Sequence, residues 1–416
     1  MDLSPLAIRD FRLLFGSSTV SLLGTEATNV ALVVQVKQLT GSTLAVGLLG
    51  AAELVPLVVF ALYGGVLADR LDRRRVIRWC EAALGGCSVL LLADSLLSRP
   101  LLWPLYAVVA AMNGLASLQR PSVEASIPRI VPPGQLTGAV TLSSGSQNLS
   151  VIVGSSLGGV LAASAGPAVV YGLDAVTFAV SSGLLFLLRP VPAPEPGEHS
   201  PEGSGLRSAL AGLRYARSRP ELMGSYLADL AAMTMSYPAA LFPFLAAELH
   251  ASWAVGLMFA CPSIGALLIT IPSGWMNRVR RHGLAIALAA CAWGLAVVAF
   301  GLAPDIAVAL ATLVLAGAAD MVSGIFRDLL WKQTIPDALR GRMAGIELLS
   351  YAVGPSAGQL RAGGVASLTT PRISLTSGGV LCVAGVGAVC LAFPGFIRYR
   401  APLATHSDDE SGPQSL

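Results

Sequence analysis

The chain is a succession of apolar stretches, each about as long as a bilayer is thick, and that pattern narrows its possible folds more than any other feature. Leu284 to Ala303, for example, reads LAIALAACAWGLAVVAFGLA without a charge. About 20 residues of helix cross a hydrocarbon layer of ~30 Å. Inside lipid every backbone N–H and C=O needs a partner within the protein, so only helices and closed barrels span it. Barrel strands would be segments of about ten residues alternating in polarity, and these runs are unbroken. Helices are therefore expected. Of the 416 residues 54% are apolar and 12% charged, with a mean hydropathy of +0.69; soluble domains carry about 25% charged residues.

Apolar runs set against Pro, Gly and charged breakers predict twelve spans, near 12–37, 43–68, 76–98, 101–120, 135–163, 167–189, 221–248, 253–276, 283–302, 305–330, 341–366 and 373–397. The one long polar connection, 190–219, contains PVPAPEPGEHSPEGSG, too rich in Pro, Gly and Glu to bury a core. It divides the chain into a six-helix bundle over 1–189 and a second over 220–398, with a tail at 399–416. Cytoplasmic loops carry an excess of Lys and Arg, and 23 of the 27 fall on one side of this arrangement. Only Lys37, Arg99, Arg361 and Arg372 fall on the other. Both termini and the linker are thus expected in the cytoplasm. The first run continues to Val36, too long for the apolar region of a cleaved signal, so it is expected to remain as a span. The six cysteines (Cys80, Cys87, Cys261, Cys291, Cys382 and Cys390) lie in apolar segments and imply no disulfide framework.

A charge at bilayer depth costs about 2.5–3.5 kcal/mol on the insertion scale and marks a functional candidate. Five acids fall well inside the predicted spans: Glu26, Glu53, Asp229, Asp320 and Glu347. No matching set of intramembrane bases is evident. Burial disfavours the charged form of a carboxyl, so such a group holds a proton until water or a cation arrives, as proton-coupled transport requires. Glu26 shares a helical face with Asn29, and a structural carboxyl bonded to Asn29 is its second reading. Glu53, Asp229 and Asp320 have cavity and structural readings alike, and Glu347 is equally well read as a partner of Arg342 or Lys332. Asn113 and Gln119, with Gln147 and Asn148, offer neutral hydrogen bonds either to a ligand or between helices. Tyr237, Phe242, Phe244 and Trp253 form an aromatic cavity wall or an interfacial belt. The GxxxG spacing of Gly154 and Gly158 reads as close helix packing.

Two glycine-led basic turns occupy equivalent places, GGVLADRLDRRR (64–75) after the second span and SGWMNRVRRHG (273–283) after the eighth. Two related six-helix halves around a midplane site are a transporter plan. In the first turn, Gly65, Leu67, Asp69, Arg70, Arg73 and Arg74 resemble the signature loop of the major facilitator superfamily, with Asp72 where many members have glycine. PSVEASIPRIVPPGQLTGAVTL (121–142) and GSSLGGVL (154–161) look like the branch that holds bacterial enterobactin and multidrug exporters, although Ser155 stands where a proline is usual. The resemblance covers essentially the whole chain. It implies an all-α membrane protein with twelve transmembrane helices in two six-helix bundles. It also implies a cavity lined by helices one, two, four, five, seven, eight, ten and eleven, and a gating role for Gly65, Asp69, Arg70, Arg73 and Arg74, with Asp69 meeting the start of span eleven.

The sequence therefore predicts a secondary exporter of a small molecule, a siderophore or a hydrophobic drug-like compound, driven by proton antiport through alternating access. The proton-coupling candidates are Glu26, Asp320, Glu53, Glu347 and Asp229; the cavity candidates are Asn29, Asn113, Gln147, Asn148 and Tyr237. The partners expected are substrate, protons and the lipid bilayer, and the chain is expected to be monomeric. The alternative is a transport-inactive receptor or scaffold on the same fold. No GxxxxGK[ST] phosphate loop is present, and no two of the four histidines have metal-ligand spacing with a cysteine. Neither an ATP-driven pump, an enzyme, a cofactor nor a metal is expected. The basic loops lack aromatic interleaving, so nucleic acid is not expected either.

Overall fold

The computed structural model describes residues 2–70, 73–189, 214–271, 276 and 278–401, and within them no side chains for 57–58, 60–70, 73 and 337–352. The polar core of the predicted linker and the end of the tail lie outside the described residues, as do the side chains of Asp69, Arg70, Arg73 and Glu347. Every regular element described is helical. The first half contains α1 (Arg9–Thr40), α2 (Thr43–Arg70), α3 (Arg73–Ser95), α4 (Leu102–Glu124), α5 (Leu136–Ser164) and α6 (Pro167–Phe186). The second contains α7 (Pro220–Ser236), α8 (Val255–Thr270), α9 (His282–Gly301), α10 (Ile306–Thr334), α11 (Asp337–Leu368) and α12 (Pro371–Ala392).

Local chemistry sets the ends. Gly41 closes α1 in the left-handed region at φ 62°, donating its N–H to the Lys37 carbonyl at 2.8 Å. The Asp305 carboxylate caps α10 by accepting from Val308 N at 2.9 Å, and the Thr370 hydroxyl caps α12. One predicted span is broken: α7 stops at Ser236, and the short helix Phe242–Glu248 continues it after a 3-10 turn. Pro238 causes the break, because proline has no N–H and pushes the residue before it out of the α region; Tyr237 is extended, at φ −70°, ψ 117°. His282, read as a loop residue, begins α9 and is buried beside Phe326 and Tyr399.

The two halves repeat one packing scheme. In the first, α1 packs on α5 and α6, α3 on α4 and α6, and α2 on α4. Adding six to each number gives the second: α7 on α11 and α12, α9 on α10 and α12, and α8 on α10. Contacts between the halves obey the same relation, since α2 pairs with α11 and α5 with α8. Exposed apolar side chains, among them Val176 and Val180 of α6, Leu288 and Leu295 of α9 and Val380 of α12, face outward. Such a belt is stable only against lipid. Among the described residues, eight helices are long and apolar enough to cross a membrane.

The halves meet at the end opposite the basic loops. A Cβ on Gly363 would fall against Thr43 O and Gly47 Cα, and one on Gly159 against Gly256. The absence of side chains at these crossings lets the backbones touch. The Thr43 hydroxyl donates to Gly363 O at 3.1 Å. Lys37 Nζ donates to Pro243 O at 2.6 Å and lies 5.4 Å from the Phe244 ring centre. This end is shut, while cavities open toward the basic end. Gly363→Leu should force the crossing apart, overpacking costing about 1–3 kcal/mol. The check is labelling of Thr43→Cys by a membrane-impermeant maleimide, expected to rise severalfold when Gly363→Leu is added; an unchanged rate would show that closure does not depend on this contact.

Candidate transport site

A cavity of about 640 Å³ lies within the first half, lined from α1, α3, α4, α5 and α6 and opening at the basic end. Helical spacing builds its polar wall. Ser17, Ser21, Thr25 and Asn29 recur every four residues and so form one stripe on α1. Asn113, Ala116 and Gln119 form a stripe on α4 at three-residue spacing, and Val140, Ser144 and Gln147 one on α5 at spacings of four and three. Much of the donor capacity is used locally: Thr25 Oγ1 donates to Ser21 O at 3.0 Å, Asn113 Nδ2 to Val109 O at 3.1 Å, and Thr19 and Ser146 share a hydrogen bond of 2.6 Å. Oxygens with lone pairs to spare therefore face the cavity, alternating with Phe11, Phe15, Met112 and Phe178. At the mouth Arg120 is paired with Glu124 at 2.9 Å. This wall suits an amphipathic ligand.

A second cavity, of about 460 Å³, lies in the other half between α7, α10 and α11 and is lined by Asp229, Tyr237, Asp320, Arg327 and Asp328 among others. Here the structure corrects the reading of Asp229 as an acid without a basic partner. It forms a buried ion pair with Arg327. Arg327, counted from sequence among the cytoplasmic charges, is 2% exposed on α10, because α10 continues to Thr334 instead of ending near 330. Trp331 Nε1 donates to Ser225 Oγ at 2.9 Å and its ring stacks on Tyr226 at 4.8 Å, which holds α7 against α10 around the pair.

Of the other described acids, Glu53 joins the two halves and Glu26 packs within the first. Glu26 sits against Gly154 of α5, where a Cβ would be 2.9 Å from its own. Glu53 Oε2 accepts from Gln359 Nε2 of α11 at 3.2 Å, across the two halves. Tyr237, at the break after α7, is within electrostatic reach of Glu26, Glu53 and Asp320. Thus Asn29, Asn113 and Gln147 share the first cavity, while Tyr237, Asp320 and Asp229 share the second. Asn148 lines neither of these cavities and donates to Ser144 O at 3.2 Å. Gly65 lies on α2, and Arg74 Nη2 approaches the Phe186 carbonyl at 3.4 Å. The aromatic group divides: Phe242 is buried edge-on against Phe259 and Phe300, and Trp253 is exposed.

Sequence reasoning missed three buried acids, Glu81 and Asp94 on α3 and Asp174 on α6. Glu81 Oε2 accepts from Gln119 Nε2 at 2.5 Å and Oε1 from the Ser181 hydroxyl. Asp174 Oδ2 accepts from Ser88 at 2.6 Å and Thr28 at 2.9 Å. Their signal was present, since each lies several residues inside an expected span.

Two equivalent six-helix bundles, shut at one end and hollow at the other, define a transporter of the major facilitator fold. The chain belongs to the transmembrane secretion effector family of that superfamily, whose model matches residues 1–405. It is 31% identical over 404 residues to the enterobactin exporter of Citrobacter koseri, covering 94% of both chains. To that of Escherichia coli O157:H7 it is 31% identical over 412 residues, covering 96% of this chain and 95% of the other. Among solved structures it resembles the nucleoside transporter NupG (TM-score 0.71, 15% identity, 94% and 99% of the two chains). It also resembles a bacterial homologue of the human lysosomal transporter Spinster (TM-score 0.71, 18% identity, 95% and 99%). The protein is a multi-pass membrane protein of a transporter family.

The Asp229–Arg327 pair makes a stability prediction. Removing one partner of a buried pair strands the other charge, at about 3–5 kcal/mol. Arg327→Leu should lower the thermal midpoint of the detergent-solubilised protein strongly, and Asp229→Leu combined with Arg327→Leu should recover most of the loss. A double variant as unstable as the single one would contradict the pairing.

Proposed function

We propose that the protein exports a small amphipathic molecule from the cytoplasm, in exchange for protons, by alternating access. The two halves, 1–189 and 220–398, rock about the site, joined by a cytoplasmic linker at 190–219; both termini and the tail at 399–416 are cytoplasmic, in the inner membrane of a bacterium. The chain works as a monomer. The observation that carries the reading is that Glu26, Glu53 and Asp320, from α1, α2 and α10, all lie within electrostatic reach of Tyr237, which lines the second cavity. Exchange requires that proton and substrate exclude one another, and by linkage each must weaken the other's binding. A carboxyl beside the substrate site meets that condition when the ligand occupies it only in the charged state. Glu26 is the proton carrier in this reading, with Asp320, Glu53 and Glu347 as further coupling groups. Asp229 we assign to holding α7 on α10. Gly65, Asp69, Arg70, Arg73 and Arg74 form the gate at the cytoplasmic end.

Names of the relatives support a siderophore as substrate, and the mixed wall of hydroxyls, amides and phenyl rings supports a hydrophobic drug-like compound equally well. Energetics separates them. The membrane potential drives an anion outward by about 2.3 kcal/mol per charge per 100 mV, whereas a cation leaving the cell works against it and depends on proton exchange. In proteoliposomes with an imposed pH gradient, a lipophilic cation should move against its own gradient only while the proton gradient lasts, and Glu26→Gln should reduce that movement by an order of magnitude or more. A catecholate siderophore moving with the potential alone would place the substrate in the anionic class. Flux of neither compound under any gradient would overturn export and turn the reading to a receptor or scaffold.

A further inference from the structure

Alongside the first cavity, the first half contains a column of buried polar groups, of which Ser17, Glu81 and Gln119 also line that cavity. They lie along the seam of α1, α3 and α6. Near the basic end, Glu81 accepts from Ser181 and Gln119, and Ser181 is 2.7 Å from Ser17 Oγ. Midway, Asp174 accepts from Ser88, Thr28 and Thr177. Further on, the Tyr171 hydroxyl donates to Gln35 Oε1 at 2.6 Å, and Asp94 lies near the outer end of α3. All of these except Gln119 and Thr177 are under 8% exposed. Ser17 to Gln35 on α1 alone spans about 27 Å of helix at 1.5 Å per residue, nearly the ~30 Å hydrocarbon layer.

Ordinary helix packing does not account for this column. Interhelical hydrogen bonds in membranes contribute about 0.6 kcal/mol on average, and neutral Ser, Thr, Asn or Gln supplies them. A carboxyl adds a large insertion cost and one property those lack, the ability to bind and release a proton. The hydrogen-bond partners of Asp174 among the described residues are hydroxyls, and the titratable groups facing it are Glu81 and Tyr171, with Asp94 beyond. With no cation among them, a proton is what can neutralise its charge. Room has been left for it: a Cβ at Gly24 of α1 would strike Asp174 Oδ1 and Thr177 Oγ1. Glu81 also lines the first cavity together with Gln119, so the column joins that water-accessible space at its basic end.

We infer that the α1–α3–α6 seam is a proton path through the first half, with Glu81 as its cavity-side group and Asp174 as its central relay. It rests on the proton exchange proposed above, and its route leaves the substrate's cavity at Glu81. Each hydroxyl accepts one proton as it donates another and then rotates back, so a single proton moves and the groups return to their starting state. Infrared spectroscopy of the reconstituted protein during pH titration tests the relay without any substrate. A carboxylic C=O band that follows pH and is lost in Asp174→Asn is expected, whereas an Asp174 carboxyl silent to pH overturns the inference. Flux tests the path, with pyranine inside proteoliposomes reporting protons and ethidium as the transported cation. Asp174→Asn, and separately Thr28→Val with Ser88→Ala, should let ethidium run down its own gradient at near the parent rate while proton movement falls at least tenfold; Asp174→Glu should restore it. Loss of both fluxes together would mark a structural role and overturn the path, as would full coupling in Asp174→Asn. A parent protein that moves no protons with ethidium would overturn the exchange itself, and the path with it.

Discussion

The arrangement turns on bare backbone meeting bare backbone. Where α2 crosses α11, Gly47 and Gly363 leave no side chain between the helices, and Gly159 of α5 meets Gly256 of α8 in the same way. In lipid no hydrophobic effect draws helices together, so van der Waals contact at such crossings holds them. Because both lie at the end away from the basic loops, closure there leaves the other end hollow. The cavities and the grouping of the acids follow from that single asymmetry.

Polar groups divide into two populations with different physical positions. Asn29, Asn113 and Gln147 line open space, where they exchange partners with water or a ligand. Asp174 with Ser88 and Thr28 is sealed among helices, and Asp229 with Arg327 is a buried pair at the edge of the second cavity. The pair of opposite charges neutralises itself within the second half. The buried Glu81 and Asp174 of the first half have hydroxyl and amide partners instead, so equivalent helix packing in the two halves carries different electrostatics.

Of the candidate site, the acids of α1, α2, α7 and α10 were visible in the sequence because a charge stands out in an apolar run. Their partners were not. Arg327 lies seven residues beyond Asp320 on the same helix, and nothing local distinguishes an arginine at a cytoplasmic boundary from one drawn inside by a longer helix and a facing Asp229. Glu81 and Asp174 were overlooked although equally visible: the first stands close behind a cluster of arginines and the second eight residues into its helix. The broken seventh span shows the opposite case, since Pro238 and Pro243 marked the break and apolar continuity across them concealed it.

By itself the sequence determined that the chain crosses a membrane as helices, roughly where each begins and ends, and that a polar segment separates two groups of six. Those properties depend on residues near one another: apolar run length against bilayer thickness, caps such as Asp305 and Thr370, and glycine at the end of α1. Tertiary structure alone decided which end is shut, that the halves repeat one packing scheme despite weak sequence repetition, and which acid faces which partner. Thr28 and Asp174 are 146 residues apart, and Glu53 and Gln359 are 306 apart. Helix packing depends on the shape of whole faces, which many sequences satisfy, so such pairings leave no local trace.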